Sequence, residues 1–319
     1  SNVNEAPVLT VPPTLTVNED SSNNAVAGIS FIDSDDFGLV EKITLDLGGS
    51  PKGTISLASI AGLSFSTGDG TTDTKMVFTG TKAAINAALS TLRFTPTANI
   101  NTVGGGNEQV LTVTVDDQGN TGTGGAKSDS ETVLITISPV NDAPRRTAAT
   151  TTLTAVLEDT ANPPGNTVSS LFTPVFSDTT DTQTGGSTAN GLAGVAIVTN
   201  AATPAQGKWQ YDSGGGWTDL PTLSLTSSFL LKTTDALRFL PTANWNGTRG
   251  PLSARASDDC AGGATSGSRP NLTGGATGGT TVYANLADAV GLSTAVTAVN
   301  DAPVASGTAT LAAVDEDTG

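Results

Sequence analysis

The stretch ITISPVNDAP, residues 135–144, joins an alternating apolar segment to the tetrapeptide Asn-Asp-Ala-Pro. The tetrapeptide returns at residues 300–303, and a near copy, Asn-Glu-Ala-Pro, stands at residues 4–7. Alternation of Ile and Thr is typical of a strand buried on one face. Proline fixes φ and biases the preceding residue toward extended backbone. The stretch therefore predicts the last strand of one β-rich unit, followed by a stiff linker into the next.

Four further landmarks recur in the same order: a Glu-Asp pair, a spaced aspartate group, an LRF-x-PTAN segment, and an Asp-Asp pair after a strand. They stand at residues 19–20, 33–36, 92–99 and 116–117, and again at 158–159, 178–181, 237–244 and 258–259. Anchors repeated in one order indicate a tandem array. We predict one repeat over residues 1–141, a second over 142–300, and the first strand of a third over 301–319, where a Glu-Asp pair stands again at 316–317.

The composition and periodicity predict an all-β fold, with one antiparallel β-sandwich in each repeat. Gly is 37 of 319 residues and aromatic residues are 4%, with turn residues between short β-branched runs. One segment differs, because apolar residues at 85, 88, 89 and 92 recur with helical spacing. They predict a short crossover helix over residues 82–90 in the first repeat. In the second repeat, the Gly/Thr-rich residues 261–281 are predicted to be a long inserted loop.

The charge and residue content exclude several functions. Lys plus Arg is 14 and Asp plus Glu is 30, so the net charge is −16, which repels nucleic acid and anionic membrane surfaces. No apolar run approaches the ~20 residues of a membrane span. Divalent cations are the natural counter-ions, although acidity can also serve solubility alone. No signal peptide opens the sequence, so we expect an internal segment of a longer secreted protein.

The side chains of common catalytic sets are missing. The sequence has no His, and Cys260 is its single cysteine, so Ser-His and Cys-His sets are excluded and no disulfide can form within the chain. Cys260 is expected to be an inert small residue. A pair of carboxylates could still hydrolyse glycosides, but the acidic residues recur with each repeat, which is unusual for a catalytic site. We therefore predict that the chain is not an enzyme.

Acidic and amide side chains stand near the ends of the predicted strands. We call the end where the chain enters a sandwich its leading pole, and the end where it leaves its trailing pole. Calcium takes six to eight oxygens from carboxylates, carbonyls and amides; no EF-hand pattern is present, so convergent loops would have to supply them. The predicted ligands are Asn4, Glu5, Asp33, Asp35 and Asp116 at the first leading pole; Glu19, Asp20, Asn141, Asp142, Asp178, Asp181 and Asp258 at the junction of the repeats; and Glu158, Asp159, Asn300 and Asp301 at the second trailing pole.

The order of these motifs resembles that of cadherin-like repeats. The early Glu-Asp resembles the family's Glu-Asn, DSD its Asp-x-Asp, VDDQG its Ala-x-Asp-x-Gly, and ITISPVNDAP its terminal linker motif. The family's central Asp-Arg-Glu has no counterpart. The resemblance implies tandem Ig-like, cadherin-like β-sandwiches in an extended rod. It also implies calcium bound between successive repeats, here one or two ions per junction. The LRF-x-PTAN segment and the helix look like bacterial versions of the fold, which occur in large repeats-in-toxin-type surface adhesins.

These observations predict a calcium-rigidified extender region of a bacterial cell-surface adhesin, extracellular, which projects a distal binding domain and supports adhesion or biofilm formation. Its partners would be neighbouring repeats of the same chain. One alternative is a carbohydrate- or protein-binding module that uses the aromatic residues of GKWQYDSGGGWTDL, residues 207–220, with Gly214–Gly216 as the hairpin turn. Another is a surface-layer or fibre subunit that associates laterally.

Overall fold

The computed structural model describes residues 3–103, 107–183 and 188–311. Buried apolar side chains form two large clusters, one drawn from residues 9–137 and the other from residues 153–296. Each cluster lies between two layers of strands. The predicted all-β class is confirmed. Among the described residues, no helix combines the length and the apolar character that a membrane span requires.

The first sandwich contains the following strands and helix. They are β1 (Val8–Thr10), β2 (Thr14–Asn18), β3 (Asn24–Ala25), β4 (Ser30–Ile32), β5 (Val40–Asp46), β6 (Gly53–Leu57), β7 (Ser64–Thr67), β8 (Lys75–Thr81), α1 (Lys82–Leu89), β9 (Leu92–Pro96), β10 (Gln109–Asp116) and β11 (Ser128–Ser138). One layer is a six-stranded sheet in the order β2-β11-β10-β5-β8-β7, and the other contains β1-β4 and β3-β9-β6. Alternate residues of β10 and β5 are buried, as the period of two requires.

The opening strand changes sheets. β1 pairs antiparallel with β4, whereas β2 pairs in parallel with β11. Pro12 and Pro13 separate β1 from β2, and proline cannot donate to a ladder, so the chain breaks one pairing and begins another there. The predicted antiparallel pairing therefore holds for every described strand pair of this sandwich except β2 with β11.

Helix α1 connects β8 in one layer to β9 in the other, which confirms the predicted crossover helix. The Thr81 side chain caps its first turn by accepting a hydrogen bond from the Ala84 N–H. Ile85, Ala88 and Leu89 are buried on the face that covers the core. The helix ends at Leu89, one residue short of the predicted boundary.

The second sandwich contains a further set of strands and one short helix. They are β12 (Arg145–Arg146), β13 (Thr150–Thr152), β14 (Val156–Leu157), β15 (Asn166–Thr167), α2 (Val168–Phe172), β16 (Phe176–Ser177), β17 (Leu192–Asn200), β18 (Gly207–Asp212), β19 (Thr218–Asp219), β20 (Phe229–Lys232), β21 (Ala236–Pro241), β22 (Gly247–Thr248), β23 (Leu252–Asp258), β24 (Val290–Ser293) and β25 (Ala295–Thr297). The sheets run β13-β24-β23-β17-β20 and β15-β21-β18-β19, with β12-β16 and β14-β25-β22 completing the sandwich. β20 leads directly into β21 by a short turn, so this sandwich has no crossover helix at that point.

The inserted loop over residues 261–281 is packed against the second sandwich. Leu230 of the edge strand β20 donates its N–H to Ser268 and accepts from Gly267. Leu272, 1% exposed, packs with Ala196 and Leu230 on the outer face of the sheet. The loop therefore covers a sheet edge that would otherwise present unpaired backbone groups.

The chain after the second sandwich has no strand in its described part. Residues 301–310 are all exposed, and no strand is assigned over 301–311. The predicted first strand of a third repeat lies partly within residues 312–319, which are outside the described residues.

Candidate metal centre

The trailing pole of the first sandwich is organised by the Glu-Asp pair. Glu19 is buried, and its Oε1 accepts the Val140 N–H at 2.8 Å, while Asn101 Nδ2 donates to Oε2 at 3.3 Å. Asp20 Oδ1 accepts the Asn99 N–H at 2.8 Å. Both Asp20 (φ 60°) and Asn99 (φ 54°) have left-handed backbone, a conformation that Asn and Asp adopt more readily than most residues. The linker, the acidic pair and the PTAN segment are thus joined by hydrogen bonds.

The second sandwich repeats this arrangement. Glu158 accepts the Val299 N–H at 2.9 Å and the Asn246 amide at 2.9 Å. Asp159 accepts the Asn244 N–H at 2.8 Å, and both residues again have positive φ. This explains why three landmarks recur together. The roles of Asn101 and Asn246 were missed from the sequence, although both stand two residues after the repeated TAN.

The leading pole of the second sandwich gathers side chains from three loops. Asn141 Nδ2 donates to Asp258 Oδ2 at 3.3 Å, and the Asp142 N–H donates to Asp181 Oδ1 at 2.8 Å. Asp178, Asp181 and Asp258 are all buried. The linker therefore runs between the trailing pole of one sandwich and the leading pole of the next.

Negative charges from both sandwiches meet at this junction. Burial, followed by the charges of Asp20 and Asp181, raises the pKa of Asp142 to about 6. Burial also raises the pKa of Asp181 to about 6, with the charges of Asp178 and Glu19 adding to it against the hydrogen bond from Asp142. Charged residues of the first sandwich thus raise the pKa of carboxyl groups in the linker and in the second sandwich. Such a cluster favours protonation or a bound cation.

The donors at the junction fit a hard cation. The buried Oδ1 atoms of Asp178 and Asn141 have no hydrogen-bond partner within the described part of the chain. Unsatisfied buried oxygens are costly and call for a partner. A cavity of about 200 Å³ opens there, lined by Pro139, Val140, Asn141, Asp181, Thr188, Asn190 and Cys260. Among described residues, no three acidic or cysteine side chains already stand at metal-binding separations, so a cation would have to draw the carboxylates closer.

The leading pole of the first sandwich has the same plan. Asn4 Nδ2 donates to Asp117 Oδ2 at 2.6 Å, as Asn141 does to Asp258. The Glu5 N–H donates to Asp35 Oδ2 at 3.1 Å.

The pKa values of two aspartates at this pole are shifted in opposite directions. Burial raises the pKa of Asp33. Burial would also raise the pKa of Asp35, but hydrogen bonds from the Glu5 backbone and from Asp33 lower it below its ordinary value.

Asp116 does not point into this pole. Its Oδ2 forms an ion pair with Lys42 Nζ at 2.6 Å on the outer face of the sheet, whereas the next residue, Asp117, is buried beside Asn4. Successive side chains of a strand point to opposite faces, so an Asp-Asp pair at a strand end places one carboxylate at each. The residue predicted in sequence was therefore one position early, and Asp117 takes its place in the proposed ligand set.

The remaining predicted ligands are more open. Glu5, Asp20 and Asp159 are exposed at their poles, and Asn300 and Asp301 are exposed in the tail. The structure thus brings together the ligands predicted for the junction and for the first leading pole, apart from Asp116. Asn300 and Asp301 directly follow Val299, whose N–H donates to Glu158 at the second trailing pole.

The Cys260 thiol fits the inert role predicted for it. Burial, then hydrogen bonding to the carboxylate of Asp258, raises its pKa to about 12. The thiol form therefore predominates at neutral pH, and a thiolate nucleophile is not provided.

In the aromatic segment of the second sandwich, Trp209 belongs to the core and Tyr211 packs against it. Trp209 is 1% exposed and meets Phe239 edge-on, with a centroid separation of 5.5 Å. Arg238 covers the ring of Trp217 at 4.3 Å. The hairpin turn lies at the predicted glycines, where Asp212 accepts backbone hydrogen bonds. Trp209 therefore offers no exposed face for stacking a sugar, whereas Tyr211 and Trp217 are half-buried.

Comparison with solved structures finds cadherin and titin domains. The five extracellular cadherin domains of protocadherin gamma B2 match at 17% identity and a TM-score of 0.44, with 94% of this chain and 42% of that chain covered. Mouse cadherin-23 domains EC22–24 match at 13% identity and a TM-score of 0.34, covering 91% and 65%. Titin domains z1z2 match at 12% identity and a TM-score of 0.23, covering 94% and 100%. The chain thus spans less than two thirds of the cadherin structures.

No family model and no curated protein matches the chain. At these identities and TM-scores, the similarity concerns architecture alone. The class of the protein, two consecutive β-sandwiches joined by an acidic linker, is given by its own strand pairing and cores.

Proposed function

We propose that this chain is a calcium-rigidified extender segment of an extracellular adhesin of the bacterial cell-surface type. Its repeats would divide at residues 141 and 142, and its cation would lie between Glu19 and Asp20 of one sandwich and the leading pole of the next. The observation that carries the proposal is the convergence of buried carboxylates from both sandwiches on one linker, where the Oδ1 atoms of Asn141 and Asp178 have no donor among the described residues.

The proposed ligand set follows the geometry. At the junction it is Glu19, Asp20, Asn141, Asp142, Asp178, Asp181 and Asp258; at the first leading pole it is Asn4, Glu5, Asp33, Asp35 and Asp117; beyond the second sandwich it is Glu158, Asp159, Asn300 and Asp301. Carboxylate and amide oxygens from separate loops suit the large and flexible coordination sphere of calcium.

The chain itself would supply the stiffness once the charges are neutralised. Glu19 already holds the linker through Val140, and Asp181 holds it through Asp142. These hydrogen bonds fix the linker to the two sandwiches at residues 140 and 142. Pro144 restricts the backbone immediately beyond them. A hinge restrained on both sides would let successive sandwiches act as one spacer that holds a distal binding domain away from the cell.

Calcium removal tests the proposal. Binding that selects the folded state adds about 2.7 kcal/mol at a hundredfold excess over Kd, which corresponds to a fall in melting temperature of roughly 5–10 °C when calcium is removed from a chain of this size. Scanning calorimetry in EDTA and in millimolar calcium measures the difference. Coincident melts in the two buffers would overturn the calcium proposal.

A further inference from the structure

Arg249 is a buried cation in the core of the second sandwich. It directly follows β22 and is 2% exposed. Its guanidinium carbon lies 3.6 Å from the ring centroid of Trp209 and 4.4 Å from that of Phe239, two core residues of the paired strands β18 and β21. The positive charge is therefore shielded from water by aromatic rings, whose cation–π attraction offsets part of the cost of burying it.

This guanidinium has no counter-charge within the described part of the chain. No carboxylate of those residues forms an ion pair with Arg249. Burial alone lowers the pKa of Arg249 to about 9, so the group is still mostly protonated at neutral pH. A buried charge that lacks a partner is strongly destabilising. The sandwich would therefore gain stability from a negative charge at this place.

The hydrogen-bonding edge of the guanidinium is also unfilled. Nη1 of Arg249 donates to the Gly250 carbonyl, whereas the buried Nε and Nη2 have no acceptor among the described residues. Nε and Nη2 lie on the same edge of the planar group, and their N–H bonds can hold one anion together. The indole Nε1 of Trp209 is buried without a described acceptor as well, and it lies beside the guanidinium that covers its ring. Buried donors of this kind call for an acceptor.

The first sandwich does without the indole. Trp209 pairs with Phe239 of the second LRF segment, and Ile55 pairs with Phe94 of the first, so Ile55 is the matching residue. Ile55 is fully buried and has no polar side-chain atom. The fold itself therefore does not require the indole N–H at this position.

We infer that the Nε–Nη2 edge of Arg249, together with the indole N–H of Trp209, binds a small monovalent anion in the core of the second sandwich. Chloride or formate can accept these hydrogen bonds and supply the missing negative charge. Water can accept the same hydrogen bonds but leaves the charge unpaired. Gluconate is too bulky for a site between buried rings. Every group named belongs to one sandwich, so the inference does not depend on calcium or on the junction.

Thermal melts in different potassium salts test the inference. The three tryptophans of the chain, at 209, 217 and 245, are all in the second sandwich, so tryptophan fluorescence follows the unfolding of that sandwich. At equal ionic strength and fixed calcium, chloride and formate should raise the melting temperature above its value in gluconate, by roughly 3–6 °C at about tenfold excess over Kd. A rise with only one of the two small anions upholds the inference and identifies the ligand. Equal melting temperatures in all three salts overturn it.

A pair of variants separates anion binding from a general effect of salt. Arg249→Met keeps the apolar contacts and removes the charge and the donors. In gluconate it should melt at least as high as the parent, because an unpaired buried charge is gone, and it should lose the gain from chloride and formate. Arg269→Met is the control, since Arg269 also lies over a ring, that of Phe229 at 5.8 Å, but is exposed; it should keep the full gain. A gain that persists in Arg249→Met overturns the inference.

Diffraction gives a test that does not depend on the folding of a variant. Bromide has the charge of chloride and scatters X-rays anomalously. In crystals of the parent soaked in bromide, an anomalous peak should lie at the Nε–Nη2 edge of Arg249. Bromide confined to the surface of the chain would overturn the inference.

Discussion

Single residues decide how the junction is assembled. Asp142 is in the linker, outside both hydrophobic cores. Its N–H donates to Asp181 of the second sandwich, and charges from both sandwiches raise the pKa of its carboxyl group. Asp20 and Asn99 take left-handed backbone so that their hydrogen bond can form. The chemistry of the site thus depends on a few polar residues, whose contribution to folding is separable from that of the core.

Asp142→Ala should loosen the junction without unfolding either sandwich. Loss of one carboxylate should weaken calcium binding about tenfold, or roughly 1.4 kcal/mol. At fixed calcium, small-angle scattering should report a shorter maximum dimension, while circular dichroism stays parental. Glu131→Ala on β11 is the control. A variant as extended as the parent, with its calcium affinity intact, would place the ion elsewhere.

Asn99 should be replaceable by Gly and not by Val. Its role is to donate a backbone N–H to Asp20 from a left-handed conformation, which Gly adopts without cost and a β-branched residue adopts poorly. We expect Asn99→Val to lose about 1–2 kcal/mol of unfolding free energy and Asn99→Gly to lose well under half of that. Urea unfolding measures both. Equal losses would show that the side chain, and not the backbone, is needed.

At the scale of elements, the sequence predicted those helices and strands whose apolar residues recur with a clear period. Helix α1 was found because its apolar residues recur at helical spacing and Thr81 caps it. Helix α2 was missed because five residues are too short for a period to be recognised, although Val168, Leu171 and Phe172 share its buried face.

The junction was predicted from repeated aspartates. At the first leading pole, Asp116 was assigned instead of Asp117, because strand register decides which face a side chain takes. Glu41 is a buried acid of β5, and the matching strand β17 of the second repeat contains no acid, so repetition could not reveal it. The packing of the inserted loop depends on contacts distant in sequence, and its composition indicated only a loop.

Leu272→Ala should release the inserted loop. Leu272 is the loop's buried apolar side chain against Val198 and Leu230, and truncating a buried Leu costs about 2–5 kcal/mol. Because the edge strand β20 keeps its other neighbour, the sandwich should stay folded while residues 261–281 become open to protease. Limited proteolysis followed by mass spectrometry locates the cuts. Leu311→Ala, in the exposed tail, is the control. Equal resistance in parent and variant would contradict this prediction.

For the whole molecule, the stabilisation by calcium should depend on pH. Asp142 and Asp181 have pKa values of about 6 in the folded chain, above the ordinary 3.8, so the folded state holds their protons more tightly. Stability from these groups is present at low pH and is lost as pH rises from about 4 to 6. The stabilisation by calcium should therefore grow over the same range. Thermal melts with and without calcium measure this stabilisation. They should cover about pH 4.5 to pH 7.5, a range that brackets the raised pKa values. A gain independent of pH would contradict the carboxylate ligands.

Magnesium should replace calcium poorly across the whole chain. Its small ion demands near-octahedral geometry and gives up water reluctantly, whereas the junction offers oxygens from separate loops of two sandwiches. At equal millimolar concentrations, magnesium should restore less than half of the calcium-dependent rise in melting temperature. Equal restoration would mean that the cations only screen charge.

The parallel pairing of β2 with β11, the last strand of the first sandwich, has a mechanical consequence. When the two ends of a sandwich are pulled apart, the force acts at opposite ends of neighbouring parallel strands and loads their hydrogen bonds in shear, all together. β2 and β11 share five consecutive residue pairs, whereas the second sandwich divides its pairing into three between β13 and β24 and two between β14 and β25. Under tension along the chain, the second sandwich should therefore yield at a lower force than the first, and a tether built from such units would lengthen one sandwich at a time.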